Sequence, residues 1–148
     1  MADTFTFIID GTEITAQKGQ TILAAADEAG IYIPRLCNMD GLESFGACRV
    51  CTVLVNGRPQ SACTQPAQPG IVVENDTEEL LDMRKQLMEM LFVVGNHYCM
   101  SCEKSGNCEL QALAYRFGIA SPRFPYMFPE REIDASHPEV LVDRNRCV

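Results

Sequence analysis

The sequence predicts an α+β fold in three stretches: a sheet-and-helix domain over residues 1–76, a small helical domain over 77–118 and an extended tail over 119–148. Three observations predict it. Two turn dipeptides, Asp10-Gly11 and Asn56-Gly57, each join runs of strand-forming residues. After Asp76 the apolar residues recur at helical spacing. Beyond Ile119 no period remains, and Pro122, Pro125, Pro129 and Pro138 follow.

The elements follow in order. Thr4–Ile9 alternates, with Phe5, Phe7 and Ile9 on one side, and residues 12–16 form the return strand. Gly19 breaks it. Thr21 can cap a short helix over 22–29 that ends at Gly30, and Pro34 prevents an immediate restart. Residues 36–47 carry Gly41 and Gly46 without periodicity and read as a loop. A β-branched run over 50–55 turns at Asn56-Gly57 and returns over 58–62, and residues 71–74 form a further strand. One helix across a mixed sheet is the β-grasp arrangement. Asp76-x-x-Glu79 resembles a capping box. Leu80, Met83, Leu87, Met90, Leu91 and Val94 then form a helical face closed by Gly95. Leu110, Leu113, Ala114 and Phe117 form another face, ending at Gly118. The Pro-rich tail is expected to lie extended on this chain or on a partner.

Composition excludes several roles. Twenty acidic residues against twelve basic ones give a net charge of −8 in 148 residues. Nucleic acid and anionic membrane surfaces both demand a basic footprint. The apolar run near residues 87–94 is broken by Glu89 and is too short to span a bilayer. Residues 1–4 carry no secretory signal, so a cytoplasmic location without membrane insertion is expected. No dinucleotide-binding glycine pattern, Walker A motif or acid–base pocket is evident, so no catalytic residue is assigned.

Cysteine is the outlier. None of the eight falls in residues 1–36, and two Cys-x-x-Cys pairs occur. Without an export signal, such pairs read as metal or redox sites before disulfides. Cys37, Cys48, Cys51 and Cys63 form a four-thiolate set. Zinc also accepts four thiolates, and a zinc knuckle stays open as the alternative. The glycine-bearing loop between Cys37 and Cys48 favours iron–sulfur, because its amides can turn toward sulfur. Arg35 and Arg49 stand beside ligands and can offset charge or simply be solvated. Cys63 leaves a β-rich segment, as in plant-type ferredoxins, although the first gap is longer here. His97, Cys99, Cys102 and Cys108 supply one imidazole and three thiolates. Zinc takes that set readily, and His97 can instead cap the preceding helix. A cubane cluster needs four ligands, one for each iron.

The run from Gly95-Asn96-His97-Tyr98-Cys99 through Cys102 and Cys108 to Gln111 resembles the signature of the large iron–sulfur subunit of respiratory complex I. It is more similar still to the small diaphorase iron–sulfur subunit of NAD-reducing bidirectional [NiFe]-hydrogenases. Ile33-Pro34-Arg35-Leu36-Cys37, Ala47-Cys48-Arg49-Val50-Cys51 and Ser121-Pro122-Arg123-Phe124-Pro125-Tyr126 carry the same resemblance. It implies an N-terminal β-grasp, ferredoxin-like domain whose Cys37, Cys48, Cys51 and Cys63 hold a [2Fe–2S] cluster. It also implies a helical segment whose His97, Cys99, Cys102 and Cys108 hold a [4Fe–4S] cluster. Complex I subunits usually place three residues between the histidine and the first cysteine. The single residue here matches the hydrogenase type. In this family a two-cluster ferredoxin module follows, and Arg144-Asn145-Arg146-Cys147-Val148 resembles its first cysteine. The chain is then a short form or a fragment, and Cys147 receives no metal role.

The expected function is an electron-transfer subunit, not catalytic by itself, within an NAD-dependent diaphorase-type oxidoreductase. It would relay single electrons between a flavin-containing NADH dehydrogenase subunit and hydrogenase subunits, in a hetero-oligomer. A stand-alone soluble ferredoxin and a zinc-stabilised interaction module are the alternatives.

Overall fold

Asp10-Gly11 and Asn56-Gly57 close their hairpins in the computed structural model, which describes residues 4–146. All four turn residues have positive φ, at 48° and 79° and at 49° and 76°. Two-residue turns of this hand match the twist of the strands they join. The first pairs β1 (Thr4–Ile9) with β2 (Thr12–Gln17), and the second pairs β3 (Thr52–Val55) with β4 (Arg58–Ser61). The chain divides into two compact units between Arg84 and Lys85.

In the first unit, β5 (Val72–Glu74) enters between the hairpins, giving the order β2-β1-β5-β3-β4. It runs parallel to β1 and antiparallel to β3. A parallel neighbour needs a long crossover. That crossover holds α1 (Ile22–Glu28), the loop to Cys51 and the second hairpin. Thr21 Oγ1 accepts from the Ala24 amide at 3.2 Å and starts α1, as its sequence indicates. Phe7 and Ile9 of β1, Ile14 of β2, Val53 of β3 and Val73 of β5 are buried with Ile22, Leu23 and Ala26. Cys51 and Cys63 belong to this core.

Two local expectations shift. The strand expected from residue 50 starts at Thr52. Arg49 sits at φ 60°, and its carbonyl accepts from the Thr52 amide at 3.1 Å and Thr52 Oγ1 at 2.6 Å, a turn that withholds Val50 and Cys51 from the ladder. The helix α2 (Glu78–Val93) is capped by Thr77, whose Oγ1 accepts from the Leu80 amide at 3.2 Å. Asp76 instead donates its amide to Asp10 Oδ1 at 3.3 Å.

The phase of α2 also differs from the apolar pattern. Leu80, Arg84, Met88, Glu89 and Val93 are its buried residues, whereas Met83 and Leu87 are half-buried and Met90 is exposed. Both buried charged groups are accommodated. Arg84 is hydrogen-bonded on all sides, and Glu89 Oε2 meets Arg123 Nε at 2.6 Å.

The second unit contains the later turns of α2, a 3₁₀ turn at Cys99–Ser101, and α3 (Glu109–Arg116). Its core is Met88, Val93, Leu110, Leu113 and Ala114. The tail lies on this chain itself. Val93 and Val94 carbonyls, left without helical partners at the end of α2, accept from the Met127 amide at 3.0 Å and Arg131 Nη2 at 3.1 Å. Asn96 donates to the Asn145 carbonyl at 2.7 Å and to the Pro129 carbonyl at 3.0 Å. The tail also contains a short hairpin that the sequence pattern did not reveal, β6 (Asp134–His137) with β7 (Val140–Val142). Its strands are mostly exposed, so no alternation of burial marks it. No helix among the described residues is long and apolar enough to cross a membrane. Cys147 lies outside the described residues.

Candidate metal centres

The first cysteine set is assembled by the loop that precedes β3 and by the end of β4. The amides of Cys48, Ala47 and Gly46 donate to the Cys37 sulfur. Burial pushes the Cys37 thiol up, but these donors and the Cys48 side chain outweigh it and hold Cys37 below the usual thiol range. Gly46 makes this turn possible. Its φ is 69°, and a Cβ there would stand 3.0 Å from Thr64 Cγ2. Burial raises Cys48, against the amides of Val50, Cys37 and Leu36.

Cys63 is pushed up to about 12, first by burial, then by its contact with Cys51 and by negative charge on Cys51, Cys37 and Cys48. The four sulfurs therefore share one electrostatic environment. They are grouped as two touching pairs, Cys37 with Cys48 and Cys51 with Cys63. Burial opposes ionisation of Cys48 and Cys63 there, and a cationic metal would compensate it. The donor set and its amide cradle thus fit an iron–sulfur group.

Of the two nearby cations read from the sequence, Arg35 pairs with Asp27, and Arg49 Nη1 donates to Ser61 Oγ. Sequence reasoning missed Arg84, the cation beneath the loop. Its Nε and Nη2 donate to the carbonyls of Val50 and Thr52, on either side of Cys51. A lone arginine in an amphipathic helix gives no signal of burial.

The second set lies in the second unit. His97, Cys99, Cys102 and Cys108 line one open cavity of about 50 Å³ together with Phe92, Gln111 and Arg146. The 3₁₀ turn carries Cys99, and Cys108 precedes α3 as its N-cap. The helix N-terminus favours negative charge at that position. Gln111 braces the intervening loop, accepting from the Gly106 amide at 2.7 Å and donating to Ser105 Oγ at 3.1 Å.

Burial lowers the pKa of His97, with Arg146 acting in the same sense, although a hydrogen bond to the Leu91 backbone opposes this. The ring is held in the neutral form, the one with a lone pair to offer a metal. A backbone partner for one ring nitrogen is the usual support of a ligating imidazole. Phe92 contacts the ring edge-on, with centroids 5.6 Å apart.

All seven described cysteines are free thiols. No group of three or more His, Cys, Asp or Glu among the described residues is arranged to hold a single metal ion.

Gly95 does more than close α2. A Cβ there would stand 2.4 Å from His97 Nε2, so any side chain must drive the imidazole away. Gly95→Ala is expected to cost about 1–3 kcal/mol by overpacking. Thermal melts of Gly95→Ala in wild-type and His97→Ala backgrounds check this. The cost should largely vanish once the imidazole is gone, and an equal cost in both backgrounds would refute the contact.

Residues 2–78 match the family model described as a 2Fe-2S iron-sulfur cluster binding domain. Residues 84–123 match the NADH-ubiquinone oxidoreductase-G iron-sulfur binding region. The chain is 46% identical over 140 residues to the NAD-reducing hydrogenase HoxS subunit gamma of Cupriavidus necator, covering 95% of this chain and 60% of that protein. It is 39% identical to the NADPH-Fe(3+) oxidoreductase subunit alpha of Geobacter sulfurreducens, covering 95% of this chain and 17% of that one. A crystal structure of an NAD+-reducing [NiFe]-hydrogenase in the H2-reduced state superposes with a TM-score of 0.91 at 50% identity. That match covers 97% of this chain and 61% of the matched one. The chain thus spans about three fifths of the hydrogenase relatives and a smaller share of the other. The matches support the fold expected from the sequence and both kinds of cluster.

Proposed function

This chain belongs to the 2Fe-2S iron-sulfur cluster binding domain family, and on that premise we propose that it is an electron-relay subunit. It would carry single electrons between a flavin-containing NADH dehydrogenase subunit and a hydrogenase or other redox module in the cytoplasm. The named relatives are subunits of multi-subunit oxidoreductases, which supports an assembled role.

Cys37, Cys48, Cys51 and Cys63 would hold a [2Fe–2S] cluster. His97, Cys99, Cys102 and Cys108 would hold a [4Fe–4S] cluster. When bound, the two clusters supply one-electron redox chemistry. The chain's own groups set the conditions for it. Amides of Gly46, Ala47 and Cys48 stabilise negative charge on sulfur, the burial of Cys51 and Cys63 excludes water, and His97 presents a neutral ligand.

One observation carries this reading: four cysteines converge in a single amide-lined environment as two sulfur pairs. Iron, sulfide and zinc analysis of anaerobically purified protein, with electron paramagnetic resonance after reduction, tests it. Cys48→Ala is expected to abolish the binuclear signal and leave a tetranuclear one. Zinc without sulfide, or a binuclear signal that survives the substitution, would reject the assignment.

A further inference from the structure

Arg84 is among the largest fully enclosed side chains, at 1% exposure. Its guanidinium keeps its charge at any relevant pH. Yet every acceptor around it is neutral. Nε donates to the Val50 carbonyl at 3.1 Å and Nη1 to the Asn75 carbonyl at 2.9 Å. Nη2 donates to the Thr52 carbonyl and to Asn75 Oδ1, both at 2.8 Å. Among the described residues no carboxylate lies within ion-pair distance.

Asp10 and Asp76 act on the guanidinium at longer range, and the Cys51 side chain acts more strongly than either. Asp10 is already engaged by the amides of Asn75 and Asp76, at 2.7 and 3.3 Å. A buried cation with no carboxylate partner is strongly unfavourable unless something else supplies negative charge. A negative group is available at Cys51, which acts on the guanidinium from between two of the residues whose carbonyls Arg84 grips. Val50 and Thr52 bracket Cys51, and Cys51 touches Cys63.

Resting on the ligand reading above, we propose that Arg84 is the buried counter-charge of the Cys37–Cys48–Cys51–Cys63 centre. It positions the ligand loop through its carbonyls and favours the reduced state of the cluster through its charge. Reduction adds one electron, and so one negative charge, while Arg84 exchanges no proton. A fixed cation in a medium less polar than water stabilises the added charge.

The test is an anaerobic redox titration of the full chain, followed by the binuclear paramagnetic signal, beside a thermal melt. Arg84→Gln retains donors and loses the charge. At a fixed poise its ratio of reduced to oxidised cluster should fall about tenfold, which is about 59 mV for a one-electron couple. Arg84→Lys retains the charge and loses the fork of donors. Its ratio should stay within about threefold of wild type, although its melting temperature falls. If Arg84→Gln does not fold, the lysine variant alone decides, because a tenfold fall with the charge retained contradicts the inference. Equal shifts in both variants, or a glutamine variant at the wild-type potential, reduce Arg84 to a strut and overturn it. A wild-type chain without any binuclear signal overturns the ligand reading itself, and the inference with it.

Discussion

Stripping iron from the anaerobically purified chain is expected to melt the segment from His97 to Cys108 while the sheet of the first unit survives. The contrast follows from what each region buries. Between residues 96 and 109 no side chain is fully buried, and His97, Cys99, Cys102 and Cys108 are only partly so. A few short turns hold the backbone there, such as Ser105 to the Cys102 carbonyl at 3.0 Å and Asn107 to the Lys104 carbonyl at 2.9 Å. Such turns do not offset the conformational entropy of ordering a loop of this length. Ligation is expected to supply the difference, on the scale of about 10 kcal/mol known for structural metal in small domains. The first unit instead encloses Phe7, Ile9, Ile22, Val53 and Val73 at 1% exposure or less. Only its ligand loop should loosen, because Gly46 alone is buried between Cys37 and Arg49. Hydrogen exchange before and after chelation reads both regions. Unchanged protection across residues 97–108 would show that the loop holds itself.

Exchanging His97 for cysteine is expected to lower the midpoint potential of the tetranuclear cluster. A neutral imidazole leaves the site one negative charge short of an all-thiolate set, and the substitution restores that charge. Two imidazoles separate Rieske centres, at about −150 to +300 mV, from plant-type ferredoxins near −400 mV, so a single exchange should move the potential by roughly 100 mV or more. The alternative is that His97 only caps α2, and its hydrogen bond to the Leu91 backbone is compatible with that role too. A capping role would leave potential and spectrum in place while the melting temperature moves. The redox titration therefore separates the two roles, which a loss of stability alone could not.

Local chemistry made much of this protein legible in advance. Asp10-Gly11 and Asn56-Gly57 specify turns whose backbone other residues rarely adopt, and Thr21 specifies a helix start. The spacing of the cysteines marks two separate candidate sets before any strand is paired. These signals work because each is satisfied within a few residues of itself. What the tertiary structure alone decided are the contacts made at long range. Insertion of β5 between the two hairpins joins Ile8 and Ile9 to Val72 and Val73, and nothing local encodes that partner. The phase of α2 is the sharpest case. Its apolar residues point to a face through Met83, Leu87 and Met90, but the helix buries Arg84 and Glu89 instead. Burial of a guanidinium is tolerable only where carbonyls converge on it, and those of Val50 and Thr52 lie 34 and 32 residues away in sequence. Glu89 likewise depends on Arg123, far along the tail. A charged residue reads as solvent-facing until the fold brings it a partner, so its burial is a property of the assembled chain.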